Sequence, residues 1–422
     1  MTHRLRELLS AIRSPIVRST TALPLLLLFL GCATGEGDRA PLVAIDTLPS
    51  PAGRGSGEPN LASGPDGRIY LSWLEPVDDS THALRFSTLV GSRWSPPRTI
   101  TQRPDFFVNW ADFPSVVALS EQRLAAHWLQ KSGTTKYAYE VRIAQSADGG
   151  RTWSTPVVPH RDGTPTEHGF VSMFALGDSL GAVWLDGRNF ARVAKGESAD
   201  MMLMMTSVAL TGGAGPERVL DERVCDCCQT SLGVAASGPV LVYRDRLHGE
   251  IRDISVVRWV DSGWTKPTVV HADGWKIDAC PVNGPAIAAV GEQVAVAWFT
   301  NARDSARVYL ARSANGGATF NAPVRVDDGK PVGRVDVELD DEGAALVSWM
   351  EFTSGEKADV RARWVSEDGI RSNSTVVARS SGARASGFPR MIGTGNDLIF
   401  AWTEAGTPSR VRVARARRAN SR

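Results

Sequence analysis

One aromatic residue returns through the chain at a nearly fixed interval. It stands at the end of a short apolar strand pattern in Ile69-Tyr-Leu-Ser-Trp73, Leu124-Ala-Ala-His-Trp128, Leu180-Gly-Ala-Val-Trp184, Val240-Leu-Val-Tyr243, Val294-Ala-Val-Ala-Trp298, Ala345-Leu-Val-Ser-Trp349 and Leu398-Ile-Phe-Ala-Trp402, at spacings of 55, 56, 59, 55, 51 and 53 residues. A period of this size built on alternating strands predicts a propeller or a comparable β-repeat array. No stretch after residue 40 sustains a 3.6-residue apolar period, so helical folds are excluded. The 40 Gly and 24 Pro spread through the chain suit many tight turns between short strands.

Each unit reads as four strands. In the first, Glu58-Pro-Asn-Leu-Ala62 is the inner strand, the Trp73 segment the second, Ala83-Leu-Arg-Phe-Ser87 the third and Pro97-Arg-Thr-Ile100 the outer one. The seventh unit stops after its third strand, Val411-Arg-Val-Ala414, while Pro41-Leu-Val-Ala-Ile45 lies unused at the other end. Supplying it as the missing strand closes the ring and removes the last exposed sheet edge. The expected fold class is therefore all-β, a seven-bladed β-propeller of four-stranded blades over 41–417, closed by an N-terminal strand, with a basic tail at 418–422.

Two units carry a further motif after their third strand: Ser146-Ala-Asp148-Gly149-Gly150-Arg-Thr152-Trp153 and Ser313-Ala-Asn315-Gly316-Gly317-Ala-Thr319-Phe320. These resemble the Asp boxes of sialidases and related BNR-repeat propellers, in which a Gly with positive φ turns the hairpin and the aromatic packs between blades. The resemblance implies a sialidase-like propeller with its active site on the opposite face from the boxes. It does not extend to the catalytic set. The sialidase Arg-Ile-Pro segment has no counterpart, Glu58-Pro59-Asn60 standing in its place, and none of the five tyrosines lies in the last two blades. Sialidase activity itself is not expected.

Ahead of the repeats, Arg4, Arg6, Arg13 and Arg18 precede the apolar run Ala22 to Leu30, which is too short to span a bilayer and reads as a signal peptide over 1–31. Phe29-Leu30-Gly31-Cys32 resembles a bacterial lipobox. That resemblance implies lipidation of Cys32, a tether at 32–40 and an exported protein on the outer membrane or periplasmic face, touching the membrane through its lipid anchor only. With 47 basic and 46 acidic residues, the net charge of +1 gives no electrostatic footprint for nucleic acid.

In a propeller, the ends of the second strands and the starts of the inner strands share one mouth of the channel. Two residues after each repeat aromatic stand Glu75, Gln130, Asp186, Asp245, Thr300, Glu351 and Glu404. Such acids either cap turns or form a site for acid–base work. In the second reading Asp186, Asp245 and Glu351 are the catalytic candidates. Arg188, Arg244 and Arg334 would clamp an anionic ligand such as a glycan, and His168 and Asn283 would help to bind it. Arg246, Arg384, Arg390, Asn109, Asp112, Glu167 and Asp336 fall near the same mouth. His127 reads as a core residue and His248 as a solvated loop residue.

Four cysteines remain besides Cys32, in Val224-Cys225-Asp-Cys227-Cys228-Gln-Thr230 and Asp278-Ala-Cys280-Pro-Val-Asn283, segments that start the inner strands of blades four and five. An exported protein can pair them as disulfides in three ways, one including the vicinal Cys227–Cys228 bond. Alternatively they form a copper or zinc centre or a redox centre, which requires the 225–228 segment to be a turn or bulge, since strand alternation would send Cys228 away from its neighbours. Three functions stay open: a polar-ligand or glycan site, a metal or thiol centre, and a non-catalytic scaffold for protein assembly.

Overall fold

The computed structural model describes residues 42–418, apart from Lys195, Gly196 and Ser198. The expected signal peptide, Cys32, the expected tether and nearly all of the basic tail lie outside the described residues. Among the described residues no helix is long and apolar enough to cross a membrane.

Seven antiparallel sheets make a seven-bladed propeller. Blade one consists of the inner strand Gly57–Ser63, the second strand Ile69–Pro76, the third strand His82–Val90 and the outer strand Arg98–Arg103. The other blades repeat this meander. In blade two the outer position shrinks to a single bridge between Val157 and Ile143. In blade seven, Val43–Leu48 completes the sheet by pairing antiparallel with Arg410–Arg417, in a register that sets Thr47 opposite Ala414 and Leu48 opposite Val413. The closing strand thus begins two residues later than the sequence suggests.

The apolar residues gather into seven clusters, each formed by facing sides of two adjacent blades. This follows from the strand period. Alternate side chains point to opposite faces of a sheet, and both faces of every blade are covered by a neighbour. Every repeat aromatic packs toward the preceding blade: Trp128 joins Phe86 of blade one, Trp298 joins Val242 of blade four, and Trp73 joins Ile399 of blade seven. Trp73, Trp184, Trp298 and Trp349 are fully buried.

The Asp148 turn is held locally. Its carboxylate accepts from the Arg151 and Thr152 amides at 2.9 Å each and from Thr152 Oγ1 at 2.6 Å, while Ser146 Oγ accepts from the Gly150 amide at 2.8 Å. Trp153 then meets Phe86 of the previous blade edge to face, with ring centroids 6.1 Å apart. Asn315 builds the same scheme in blade five. A third such turn, Ser366-Glu-Asp368-Gly369 in blade six, brings the Ile370 amide to Ser366 Oγ at 3.0 Å. The sequence hid it because no aromatic follows.

Candidate functional site

The acids two residues after the repeat aromatics are mostly committed to that aromatic. Trp73 Nε1 donates to Glu75 at 2.7 Å, Trp184 Nε1 to Asp186 at 2.7 Å, and Trp349 Nε1 to Glu351 at 2.6 Å. In blade five, where Thr300 replaces the acid, Trp298 Nε1 turns to Asp273 at 2.7 Å instead. The remaining carboxylate lone pairs take turn amides: Gly53 on Glu75, Arg188 on Asp186, and Asp328 and Lys330 on Glu351. Asp186 is fully buried and Asp245 and Glu351 nearly so. Asp245 accepts from Ser255 Oγ and from the Arg246 amide, both at 2.6 Å. The catalytic candidates Asp186, Asp245 and Glu351 thus each have their carboxylate engaged within the protein, Asp186 and Glu351 by the indole two residues back. A carboxylate next to a buried indole N–H satisfies that donor first. Of the other positions, Gln130 is buried, whereas Glu404 is exposed and pairs with Arg412.

The expected anion clamps are likewise engaged. Arg188 forms a fork on Asp186, Nε to Oδ1 and Nη2 to Oδ2 at 2.7 Å each, and reaches Glu217 at 2.8 Å with Nη1. Arg244 gives Nε to Asn283 O, Nη1 to Arg252 O and Nη2 to Phe299 O, at 2.8, 2.5 and 2.6 Å. Arg334 donates to the carbonyls of Gly382, Ala383 and Gly387, and burial lowers its pKa to about 10. All three are buried and hold loops together. Arg384 is exposed, and Arg390 is the mouth arginine that lines the central cavity.

His168 is buried between Asp162 and Asp186, at 3.1 and 3.6 Å, and its ring stacks on His160 with centroids 3.8 Å apart. Burial opposes a charge there, yet Asp162 and Asp186 raise the His168 pKa above the usual histidine value. Asn283, half of a blade-to-blade strap, accepts the Arg334 amide at 2.8 Å.

That strap is one of a series. Asp112 of blade two accepts the Phe170 amide of blade three at 2.8 Å, Gln229 ahead of blade four the Gly284 amide at 3.0 Å, and Asp336 of blade six the Met391 amide of blade seven at 2.8 Å. Phe170, Val282 and Arg334 all have positive φ near these straps, a conformation that costs about 1–2 kcal/mol in a non-glycine residue and is held by the surrounding bonds. Polar residues at the inner-strand entrances therefore clamp the ring at its mouth.

One constellation there is different. Tyr139, the first residue of the third strand of blade two, forms a parallel bridge with Glu167. Its phenol oxygen lies 2.7 Å from Glu167 Oε1 and 3.1 Å from Asp112 Oδ2. Burial pushes Asp112 up to about 8, with the Glu167 charge adding to it, and pushes Glu167 up to about 7. The Tyr139 phenol is raised well above its ordinary value by burial and the two acids, so it keeps its proton. A phenol has one hydrogen to donate, so contact with two carboxyl groups places a further proton on one of them. Asp112 also lines a central cavity of about 200 Å³, together with Asn60, Gln229, Thr230 and Arg390. Glu167 is partly exposed. The sequence placed Asp112 and Glu167 near the mouth and missed Tyr139. The signal available was its position at the mouth end of a third strand.

The cysteine turn lies close enough for the Asp226 charge to bear on Glu167. Residues 225–228 form a turn after the outer strand Arg218–Val224, so the condition for convergence is met. Cys225 Sγ is 3.4 Å from Cys228 Sγ and 3.7 Å from Cys227 Sγ. Cys280 arrives from the entrance of blade five, and its sulfur is 3.8 Å from Asp226 Oδ1. All four are free thiols. Hydrogen bonds from the Cys227 and Cys228 thiols, with the Arg252 charge nearby, pull the Cys225 thiol well below its ordinary range.

No family model matches the sequence, and no curated protein matches it. Among solved structures the chain is similar to a protein of unknown function from Dyadobacter fermentans, with 14% identity over 90% of this chain and 99% of that one and a TM-score of 0.51. It is also similar to the polysaccharide lyase Uly1, with 9% identity over 90% and 100% of the two chains and a TM-score of 0.50. The Hadza microbial sialidase Hz136 shares 16% identity over 70% of this chain and 63% of its own, with a TM-score of 0.42. At these identities the likeness is one of propeller fold.

Proposed function

We propose that this protein binds a polar, carbohydrate-class ligand at the mouth of its channel and processes it by acid–base chemistry, as an exported protein anchored through lipid on Cys32. The observation that carries this reading is the proton-sharing group Asp112–Tyr139–Glu167, of which Asp112 lines the central cavity. A carboxyl group with a pKa near 7 is protonated often enough to act as an acid and ionised often enough to act as a base near neutrality. Glu167, the partly exposed member, transfers the proton to or from the ligand oxygen. Tyr139 passes a proton between the two acids, and Asp112, buried and protonated up to about pH 8, restores the one that Glu167 gives up. Arg390, Asn60 and Thr230 offer donors and acceptors along the cavity wall, the mixed lining that orients a hydroxyl-rich ligand. The polysaccharide lyase among the structural neighbours is in keeping with this class of ligand.

In this reading Asp186, Asp245, Glu351, Arg188, Arg244 and Arg334 build the mouth and do not touch the reacting atoms. The test is a polysaccharide and oligosaccharide panel followed by titration calorimetry and product analysis. Glu167→Gln and Tyr139→Phe should reduce turnover about 10²–10⁴-fold with affinity within a few-fold of the parent. Unchanged turnover in Glu167→Gln removes the reading, as does a panel on which the folded protein binds nothing.

A further inference from the structure

The sulfur geometry at the mouth points to a second site, independent of the carbohydrate reading. We propose that Cys225, Cys227 and Cys228, with Cys280 from the next blade, hold one thiophilic d¹⁰ cation, Cu(I) or Zn(II).

Three observations meet here. First, the three sulfurs of the 225–228 turn all lie within 4.8 Å of one another, and the Cys280 and Cys227 sulfurs are within the same distance. A metal–thiolate bond of about 2.3 Å in tetrahedral geometry sets sulfur–sulfur edges of about 3.8 Å. The observed 3.4 and 3.7 Å edges need only a few tenths of an ångström of expansion to admit an ion. Second, a disulfide joins sulfurs two at a time, and any bond within this turn leaves its third sulfur only Cys280 to pair with. The shared approach of three sulfurs is what an ion at their centre requires. Third, the charge balance is prepared. Each thiol that binds the ion releases its proton, so three or four thiolates around a mono- or divalent cation carry a net charge of −2. Arg252 is 3% exposed and donates Nη2 to Glu250 at 2.9 Å, while its Nε and Nη1 have no hydrogen-bond partner and its charge bears on Cys225. Nη1 also lies 3.8 Å from Asp226 Oδ1. Glu250 takes only one edge of this guanidinium, and the buried nitrogens it leaves face a cluster whose anionic form they favour.

The donor set is all sulfur, which selects Cu(I) and Zn(II) over harder ions. The two ions differ in what they ask of Cys280, the exposed member. Three thiols from one turn suffice for trigonal Cu(I), whereas zinc needs the fourth donor to complete its tetrahedron.

The experiment takes the full exported chain, reduced and metal-free, and titrates it anaerobically with Cu(I) and separately with Zn(II). Metal content, thiolate-to-metal charge-transfer absorption and protection of the cysteines from alkylation are followed together. One ion per chain and loss of alkylation at Cys225, Cys227 and Cys228 are expected. Cys227→Ser should abolish retention after desalting, and Arg252→Gln should weaken binding about 10–100-fold. Retention of Cu(I) by Cys280→Ser identifies the copper form, and loss of Zn(II) from the same variant identifies the zinc form. If Cys227→Ser does not fold, alkylation protection in the parent protein still decides. Thiols that stay fully alkylatable in the presence of both ions overturn the proposal. So does recovery of the purified protein with these cysteines joined as disulfides that reduction does not convert into a metal-binding form.

Discussion

The indole Nε1 of Trp184 donates to Asp186 Oδ2 at 2.7 Å, and the same carboxylate receives the Arg188 guanidinium as a fork, all in a part of the molecule closed to solvent. Asp186 is thereby the joint between a blade and the loop that leaves it. Asp186→Ala removes one partner of a buried ion pair and should cost about 3–5 kcal/mol in denaturant unfolding. Glu75→Ala, in the more accessible Trp73 pair, should cost about 1–3 kcal/mol. Equal costs at the two sites would contradict the burial argument.

Several acids have pKa values raised by burial, and their sign is shared. Asp112 moves from 3.8 to about 8 and Glu167 from 4.5 to about 7. The folded protein therefore binds more protons than the unfolded chain between about pH 4 and pH 8, so stability falls as pH rises through that window. His168, raised by Asp162 and Asp186, acts in the same direction about its own pKa. Asp186 itself is lowered, and its contribution is lost on the acid side as pH falls through its depressed folded value. Melting temperatures recorded from pH 5 to pH 8 should decline, and less steeply in Asp112→Asn. A rising profile would show that these acids ionise freely in the native state.

Gly149 and Gly150 sit side by side in the Asp148 turn with φ of +70° and +79°. A Cβ at Gly149 finds nothing nearer than 3.6 Å, whereas one at Gly150 would lie 2.4 Å from the Phe86 ring. Gly149→Ala should cost about 1–2 kcal/mol, from backbone strain alone. Gly150→Ala should cost clearly more, because it also forces blades one and two apart. Matched unfolding curves for the two variants would separate the effects.

Removal of the strand Val43–Leu48 leaves Arg410–Arg417 with an unpaired edge and strips Ile45 and Leu48 from the two apolar layers that flank blade seven. The shortened protein should melt at a lower temperature and associate through that edge, which size-exclusion chromatography would register. A monomer of parental stability would mean that the ring does not depend on its closing strand.

The blades were legible because a two-residue apolar alternation and a returning tryptophan encode them directly. The closing strand was legible as a partner missing at one end of the chain. The direction of a side chain was not. Asp186 and Glu351 look like members of an acid ring until the indole two residues back is seen to claim them. Tyr139 meets Glu167 across 28 residues and Asp112 across 27, a convergence that depends on loop geometry and not on local pattern. The cysteine turn lies between these cases. Its residues were evident, but only the turn at 226–227 brings the sulfurs to one side.

The register that sets Val43 opposite Arg417 also has a meaning in time. The first strand of the propeller to leave the ribosome waits for the last one, so the ring stays open through almost the whole of synthesis. Blades can pair locally as they emerge, since each is a meander of neighbouring strands, but the seventh is completed only by a contact spanning nearly the full chain. With the export proposed above, such a chain would stay threadable until its final segment has crossed and would lock on the far side.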